Sequence, residues 1–321
     1  MFASLPPHSS SFATPGTSVS GISAPPVPVL TPADPTPESP ANQAQPTARK
    51  KPIRREVWGV PFDSVTSDES MDQIDQLIQA RLPSYVITAN VNYVMLHAES
   101  PELRTVTREA ALIVADGQPI VWRSRMAKGG LPERVAGSEM IYKLAERAAK
   151  QSWRIYFLGG EPGVALACAN RLEMRYPGLQ IAGVESPPFR KLSEQEQRDQ
   201  DRRIREAEPD ILLVAFGQPK GEKWIHANHQ RLGVPVSIQL GASFDFVAGV
   251  VPRAPAIYQR CGMEWLYRLA GDPIRLVPRY AANAIFLSKS LLNDWRNQVG
   301  RWGMWDSRSH QRVAAKRSVG R

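Results

Sequence analysis

From Val57 onward the sequence alternates short apolar runs with longer segments of helical periodicity, and no other feature constrains the fold as strongly. The apolar runs predict buried strands and the segments between them predict helices. Strands that alternate with helices form a largely parallel sheet covered on both faces. The predicted fold class is therefore α/β, with a Rossmann-like sheet. The six runs are Tyr85–Thr88, Ala111–Ala115, Arg154–Leu158, Gln180–Val184, Ile211–Phe216 and Val234–Leu240.

Local start signals support the helices between these runs. Thr66 and Glu69 have the spacing of a capping box, which predicts that a helix begins just before Met71–Leu82. The same rhythm of apolar positions predicts four more helices. They are Ser138–Lys150, Gly163–Tyr176, Ser193–Glu208 and Pro219–Leu232. Ligands bind at the carboxyl ends of the strands in such sheets, so the residues that follow the strands are the candidate site residues.

The two ends of the chain differ from this central region. Residues 1–55 hold 12 of the 28 prolines and few large apolar residues, which predicts a disordered tail that buries too little surface to offset its chain entropy. From residue 251 to the end, 13 Lys and Arg stand against 4 Asp and Glu, and this excess of +9 equals the charge of the whole chain. We therefore predict an α/β domain at 56–250, a basic helical C-terminal appendage at 251–305 and a basic disordered tail at 306–321.

The appendage contains a predicted basic amphipathic helix. Apolar residues recur every three to four positions from Val277 to Trp302, and Arg279, Lys289 and Arg296 flank them. Such a helix suits an anionic membrane surface, and a helix packed on the sheet domain shows the same pattern, so both interpretations stay open. Nucleic acid would accept the charge, but these aromatic residues lie on the apolar face of a helix and form no stacking platform. No nucleic-acid partner is therefore expected.

Composition excludes several classes of protein. The chain has only Cys168 and Cys261, without a Cys-x-x-Cys motif, which excludes a disulfide scaffold or zinc finger and suits a reducing cytosol. Its apolar runs reach about six residues where a transmembrane helix needs roughly 20, and the N-terminus lacks a signal-peptide pattern. Neither a transmembrane helix nor a signal peptide is therefore expected.

The single Asp-x-Asp, Asp199–Asp201, falls within a predicted helix among charges. We interpret it as a solvated face and expect no metal and no cofactor.

Polar side chains follow two of the predicted strands. Thr88 and Asn90 come at the end of the first strand, although both are common turn residues and carry little information alone. Asp116 and Gly117 follow the second strand. An aspartate at that place can act as a general base, bind a ribose or cap the next helix, and the residues alone favour the cap.

Three other strand exits contain glycine. The turn Phe157–Gly163 would present backbone N–H groups and a helix terminus to a diphosphate. It matches neither Gly-x-Gly-x-x-Gly nor a Walker A loop. However, Glu185 lies near the place, about 20 residues on, of a dinucleotide-binding acid, so an NAD(P)-binding oxidoreductase stays an alternative. The exits Phe216–Glu222 and Leu240–Phe246 fit either plain helix starts or further ligand-facing loops.

The appendage arginines form the last candidate set. Guanidinium groups match phosphate oxygens bidentately, so a cluster near these loops would hold a diphosphate leaving group. A solvated basic face explains the same run equally well. The arginines are Arg253, Arg260, Arg268, Arg275 and Arg279.

Nine short motifs, taken in order, carry a resemblance to one family. They are Thr88–Asn90, Ala115–Gly117, Glu133–Gly137, Phe157–Gly163, Tyr176–Leu179, Gly217–Lys220, Phe244–Asp245, Arg253–Pro255 and Glu264–Leu269. Over about Val57–Tyr280 the chain resembles the WecG/TagA/CpsF glycosyltransferases. These are the bacterial teichoic-acid N-acetylmannosaminyltransferases and the enterobacterial-common-antigen N-acetylmannosaminuronic acid transferases.

The resemblance implies an inverting transfer, without metal, from a UDP-sugar to a polyprenyl-diphosphate-linked sugar during synthesis of a cell-surface polysaccharide. The expected place is the cytoplasmic face of the bacterial plasma membrane. Asp116 matches the family's proposed base, and Thr88, Asn90 and Arg134 match residues that line its pocket. The predicted UDP- and diphosphate-binding set is Gly159, Gly160, Gly163, Asp245, Arg253, Arg268, Arg275 and Arg279. A non-enzymatic membrane- or nucleic-acid-binding protein is the remaining alternative, and the sequence leaves oligomerisation open.

One position departs from the family's pattern. Where the family usually has glutamine, in the sequence Pro-Lys-Gln-Glu, this chain has Gly221. That glutamine is thought to line the substrate site, so its absence predicts a changed sugar specificity within the range of ManNAc, ManNAcA or a related hexose. Gln218, about one helical turn earlier, is the candidate substitute and is included in the predicted substrate site.

Overall fold

Six parallel strands form the central sheet, and a two-stranded antiparallel hairpin precedes them. The computed structural model describes residues 52–126, 129–252, 254–255 and 264–318, with side chains as far as Arg296 except those of Glu264, Arg268 and Arg275. The predicted tail as far as residue 51, together with Arg253 and Arg260, lies outside the described residues. The described residues belong to one compact unit, Arg49–Arg321.

The predicted parallel α/β sheet is confirmed. Its strands run in the order β4-β3-β8-β7-β5-β6, and every neighbouring pair is parallel. Each predicted strand is present, with ends that differ by at most two residues. In chain order the strands are β1 (Arg54–Val57), β2 (Val60–Asp63), β3 (Ser84–Ala89), β4 (Leu112–Ala115), β5 (Arg154–Gly159), β6 (Gln180–Glu185), β7 (Ile211–Ala215) and β8 (Val236–Gln239).

The predicted helices and the capping box are confirmed as well. Thr66 Oγ1 accepts the Glu69 N–H at 3.2 Å, and Glu69 Oε2 accepts the Thr66 N–H at 2.7 Å. The helices are α1 (Ser67–Ala80), α2 (Val91–Glu99), α3 (Pro101–Glu109), α4 (Gln118–Arg125), α5 (Gly137–Gln151), α6 (Val164–Arg175), α7 (Glu194–Glu206), α8 (Lys220–Leu232), α9 (Ala242–Ala248), α10 (Glu264–Gly271) and α11 (Pro273–Ser318). The sequence pattern did not predict α2, α3 and α4, because each has only eight or nine residues and too few turns to establish a helical period.

The sheet separates two apolar cores. Successive side chains of a strand point to opposite faces, so neighbours such as Tyr85 and Val86 belong to different cores. The first core lies between the sheet and α1, α5, α6 and α9. The second lies between the sheet and the β1–β2 hairpin, α2, α3, α4 and α8. Burial of both faces explains why the strands read as continuous apolar runs.

The β1–β2 hairpin was missed by the sequence reading, which placed Arg54 and Arg55 in the disordered tail. A buried carboxylate joins the hairpin to the rest of the fold. Asp63 Oδ2 accepts the Ile113 N–H at 2.7 Å, and Asp63 Oδ1 accepts Arg54 Nε at 3.0 Å. The hairpin therefore lies against the edge strand β4 through these polar contacts, and it also buries Val57, Val60 and Phe62 in the second core.

The long helix α11 packs against this domain through one face. Leu276, Asn283 and Phe286 lie on that face, and Phe286 meets the Trp58 ring edge-on with centroids 6.2 Å apart. Further along, Asp294 accepts Trp58 Nε1 at 3.0 Å and Arg123 Nη2 at 2.8 Å. These contacts join α11 both to the hairpin and to α4.

The neighbouring face of α11 carries the predicted apolar stripe and is exposed. Ile274 is 91% exposed and Trp295 is 61% exposed, and Val277, Leu291 and others accompany them. The helix therefore packs on the domain, but not through its stripe. Within the described part of the chain, no helix has an apolar stretch long enough to cross a membrane. Helix α11 also continues through residues 306–318, which the sequence analysis predicted to lack regular structure. The alanines and the absence of proline in this segment favour a helix.

Candidate active site

A cavity of about 340 Å³ opens at the carboxyl ends of β3, β4, β7 and β8 and is closed on one side by α11. It brings together six of the predicted site residues, which come from five separate stretches of the chain. These residues are Thr88, Asn90, Asp116, Arg134, Gln218 and Arg279.

Asp116 lies half-buried in the cavity wall, directly after β4. Its N–H donates to Ala89 O at 2.9 Å, which continues the sheet ladder by one residue. The N-cap of α4 is Gly117, so Asp116 does not occupy the cap position and the cap interpretation is wrong. A Cβ placed on Gly137 would lie 3.6 Å from Asp116 Oδ2. The same Cβ would lie 3.2 Å from Leu240 Cδ2, so glycine at 137 lets the start of α5 pack closely beside the carboxylate.

Thr88 and Asn90 follow β3 and have different local partners. Thr88 is buried and its hydroxyl donates to Gln239 O at 3.3 Å, which joins the ends of two neighbouring strands. Asn90 is the N-cap of α2, because its Oδ1 accepts the Tyr93 N–H at 3.1 Å. That bond uses the Asn90 oxygen and leaves its amide N–H groups for other partners.

Gln218 connects the cavity to a buried carboxyl group behind it. Its Nε2 donates to Thr88 O at 3.5 Å and its Oε1 accepts Asn92 Nδ2 at 3.4 Å. Gln218 also hydrogen-bonds with Glu222, which is 2% exposed. Burial raises the pKa of Glu222 to about 7, although the bonds to its own backbone N–H and to Gln218 and the nearby charge of Arg279 act in the opposite direction.

Two arginines approach the cavity from different elements. Val135 N–H donates to Ala115 O at 2.9 Å, and this bond holds the loop before α5 against the end of β4 and places Arg134 near Asp116. Arg134 Nη2 also donates to Glu139 Oε1 at 3.4 Å. Arg279 comes from α11, so the C-terminal helix supplies positive charge to the same cavity as Asp116 and Arg134.

Comparison with known sequences gives the family. Residues 55–300 match the sequence model of the Glycosyl transferase WecG/TagA/CpsF family. The chain belongs to this glycosyltransferase family. The family assignment and the enzyme class predicted from the nine motifs are thereby confirmed.

Relatives with established names share most of their length with this glycosyltransferase. Each is named N-acetylglucosaminyldiphosphoundecaprenol N-acetyl-beta-D-mannosaminyltransferase. The Bacillus spizizenii protein is 30% identical over 61% of this chain and 77% of its own length. The Bacillus subtilis protein is 28% identical over 71% and 90%, and the Staphylococcus aureus MW2 protein is 29% identical over 75% and 93%. Their names describe transfer of a mannosaminyl group to a lipid-diphosphate-linked sugar.

The glycine-containing turn after β5 is not among the residues that line the cavity of this glycosyltransferase. Gly159, Gly160 and Gly163 all have positive φ, between +76° and +105°, which disfavours other residues there. A Cβ on Gly159 would lie 2.9 Å from Ala215 O, and Gly160 N–H donates to that same oxygen at 3.0 Å. Backbone conformation and close packing against β7 therefore account for these glycines. Their predicted role in diphosphate binding stays a prediction.

The remaining predicted diphosphate ligands divide into two groups. Asp245 lies half-buried on α9 and does not line the cavity. Arg253 and the side chains of Arg268 and Arg275 lie outside the described residues. Of the arginines predicted to bind the diphosphate, the structure thus places only Arg279 at the site.

Glu185 is engaged in structural contacts, which weakens the dinucleotide alternative. Its Oε1 accepts Gln200 Nε2 at 2.9 Å and Arg203 Nη2 at 2.8 Å, and its Oε2 accepts the Tyr156 hydroxyl at 3.2 Å. Burial acts to raise the pKa of Glu185, but the bonds from Arg203 and Gln200 outweigh it and hold the pKa below its ordinary value. A ribose ligand would have to displace these partners.

Several cavity residues were not singled out from the sequence. Gln239 ends β8, so the rule that identified Thr88 and Asp116 by their place at the end of a strand also applies to it, and Ser243 lies in the candidate loop Leu240–Phe246. Trp265 belongs to the motif Glu264–Leu269, whereas no sequence signal linked Tyr280 and Asn283 of α11 to the sheet. The Trp265 and Tyr280 rings meet edge-on, 5.8 Å apart, and give the cavity an aromatic side.

No three His, Cys, Asp or Glu side chains come together as a metal site anywhere in the described residues. The Asp-x-Asp run predicted to be a solvated face is partly buried. Asp201 is 2% exposed and pairs with Arg231 of α8, and buried Gln200 bonds to Glu185. This part of the prediction is wrong, because a charged side chain is buried when a partner from another helix neutralises it.

Proposed function

We propose that this glycosyltransferase moves a hexose such as ManNAc, ManNAcA or a close relative from UDP to a polyprenyl-diphosphate-linked sugar, with inversion and without a metal ion. The observation that carries the proposal is the cavity where Thr88, Asn90, Asp116, Arg134 and Gln218 meet under α11. Such a cavity offers one carboxylate, several neutral hydrogen-bonding groups and cationic groups at its sides. The relatives' names, which specify a diphosphate-linked acceptor, support the same substrate class.

Asp116 is the proposed general base. Its carboxylate removes the proton from an acceptor sugar hydroxyl while that oxygen attacks the anomeric carbon of the donor. The bond from the anomeric carbon to the UDP oxygen breaks in the same step, and its electron pair leaves with UDP. A single in-line displacement inverts the configuration at the anomeric carbon. The acceptor hydroxyl would reach Asp116 from the cavity that this carboxylate lines.

Negative charge then develops on the departing UDP, and Arg279 is the proposed stabilising cation. A guanidinium that forms charge-assisted hydrogen bonds with the departing phosphate oxygens lowers the energy of such a transition state without proton transfer. No cofactor takes part in this scheme. The helix that supplies Arg279 is also the helix with the exposed apolar stripe, so we propose that catalysis is linked to contact between α11 and the membrane that holds the acceptor.

The exposed residues of α11 support a place at the cytoplasmic membrane surface. Ile274, Val277, Leu291, Leu292 and Trp295 are exposed on a helix that also carries exposed Lys289 and Arg296. Apolar side chains flanked by cations bind a bilayer surface with anionic lipids. A polyprenyl-linked acceptor resides in that surface, so docking would bring the cavity to its substrate.

The decisive experiment measures UDP release with a panel of UDP-sugars and a lipid-diphosphate-linked sugar acceptor, for the wild type and Asp116→Asn. We expect acceptor-dependent release that falls by roughly 10² to 10⁴ in the variant, the usual contribution of a general base. Asp72→Asn is the matched control, because Asp72 is an exposed carboxylate on α1 that pairs only with Arg147 among the contacts described. Full activity of Asp116→Asn would exclude Asp116 as the base.

A further inference from the structure

Gly221 lies in the first turn of α8, and its backbone conformation does not require glycine, since its φ is not positive. The space around Gly221, in contrast, does require glycine. A Cβ at this position would overlap the side-chain amide of Gln239 and would lie 3.0 Å from Gln239 Cγ. Glycine is therefore present at 221 because the glutamine at the end of β8 occupies the place of a side chain.

Gln239 is part of the cavity wall although it is only 4% exposed. With its amide oriented to suit both neighbours, the nitrogen donates to Val214 O at 2.7 Å and the oxygen accepts the Gly217 N–H at 3.0 Å. These bonds hold the turn after β7, which carries Gln218. A primary amide has two N–H groups and two lone pairs, so one of each is left after these two bonds.

We propose that Gln239 supplies the carboxamide of this wall and hydrogen-bonds to a hydroxyl or acetamido group of the sugar bound in the cavity. Gly221 and Gln239 then form an exchange pair, which means that only one of the two positions can hold a glutamine side chain. In the pattern that the chain resembles, an amide stands at position 221, and such a side chain would enter the space that Gln239 fills here. The amide has therefore moved from α8 to β8 and is not lost. This inference rests on the proposed function, and it replaces the expectation that Gly221 by itself changes the sugar specificity.

Thermal unfolding tests the pair independently of activity. Alanine favours a helix over glycine, so Gly221→Ala should stabilise the protein wherever there is room for its methyl group. We expect Gly221→Ala to lower Tm in the wild-type background, because the methyl group meets Gln239. The same substitution should leave Tm unchanged or raise it in a Gln239→Ala background. An equal decrease in both backgrounds would refute the exchange pair.

Transfer activity tests the role of the amide. We expect Gln239→Ala and Gly221→Gln each to lower kcat/KM at least about tenfold, the first by removing the amide and the second by displacing it. The double variant Gly221→Gln/Gln239→Gly should recover to within a few-fold of the wild type, since an amide from α8 then has the vacated space. A merely structural role of Gln239 would lower kcat/KM by the same factor for every UDP-sugar, whereas recognition of the sugar changes that factor from one donor to another.

The outcomes separate this inference from the proposed function. If the wild type transfers sugar and the folded double variant is no better than the poorer single variant, Gln239 does not read the sugar, and the proposed function stands. If the wild type releases no UDP with any donor, the proposed function fails and sugar reading by Gln239 fails with it. The Tm measurements decide on the exchange pair in either case.

Discussion

Both halves of the sheet's carboxyl edge have polar or glycine residues at their strand ends, but these residues line the cavity in one half and make packing contacts in the other. On the β4-β3-β8 side, Asp116, Thr88 and Gln239 line one cavity. On the β5-β6 side, Gly159 packs on β7 and Glu185 is held by Arg203 and its neighbours. The glycine-containing turn was the more familiar sequence signal, yet the half with dispersed polar residues lines the cavity.

The difference shows what makes a strand end a site. On the cavity side a second element, α11, covers the strand ends at a distance and encloses space. On the other side the side chains of α7 and the turn itself come into contact with the strand ends and fill that space. Polar residues at strand ends are therefore informative only where the tertiary packing leaves room beside them.

The strongest test of this comparison asks which half holds the diphosphate. Arg279→Ala should lower kcat by roughly 10²-fold, the usual loss when one group that stabilises developing negative charge is removed. Arg279→Lys should keep part of the activity, because it retains the charge and loses the planar fork. Steady-state UDP release measures both variants, with exposed Arg198→Ala as the control. Full activity in Arg279→Ala, with loss in Gly163→Ala, would move the diphosphate to the β5 turn.

The second test uses two carboxyl groups whose pKa values are shifted in opposite directions. Glu222 has a pKa raised by burial to about 7, so between pH 4.5 and 7 the unfolded chain ionises at this residue while the folded chain keeps its proton. The wild type should lose roughly 3 kcal/mol of unfolding free energy over that range through this group. Glu222→Gln should lack this loss, and urea unfolding from pH 5 to pH 8 measures the change in slope.

On the β5-β6 half of the sheet, the pKa of Glu185 is shifted in the opposite direction. Its pKa is lowered in the folded state, so its stabilising effect is present above the ordinary pKa of a glutamate and is lost as the pH falls through the folded value. Glu185→Gln should therefore be less stable than the wild type at neutral pH and should approach it under acid conditions. Parallel pH profiles for the wild type and both variants would show that neither shift exists.

The third test makes one chemical change in each half. Gly137→Ala places a methyl group 3.2 Å from Leu240 Cδ2, 3.5 Å from Thr88 Oγ1 and 3.6 Å from Asp116 Oδ2, beside the proposed base. Transfer should fall by about tenfold, and Tm should fall slightly because Leu240 must shift. Gly163→Ala meets no atom within 4 Å but has φ +84°, so it should cost about 1 kcal/mol of stability and leave transfer unchanged. The reverse pattern would place the site at the β5 turn.

The sequence allowed a good prediction wherever the cause is local. The six strands follow from apolar runs such as Ile211–Phe216, and the start of α1 follows from Thr66 and Glu69, because period and capping depend on neighbours in the chain. The β1–β2 hairpin was missed because its strands have only four residues each, too few to establish an alternating pattern, and because the contact of Asp63 with β4 is not local. Asp116 alone was best explained as a cap, and only the resemblance to a family favoured the base over the cap.

What the sequence by itself determined is therefore the α/β class, the six strands of the central sheet, most of the long helices and the family. The tertiary structure alone decided that Thr88 and Arg279, nearly two hundred residues apart, line one cavity, and that Gln239 fills the space above Gly221. It also decided that Glu222 is buried while the apolar stripe of α11 is exposed. The physical reason is that strand order and helix docking bring distant residues into contact, and these non-local contacts have no period or spacing in the chain.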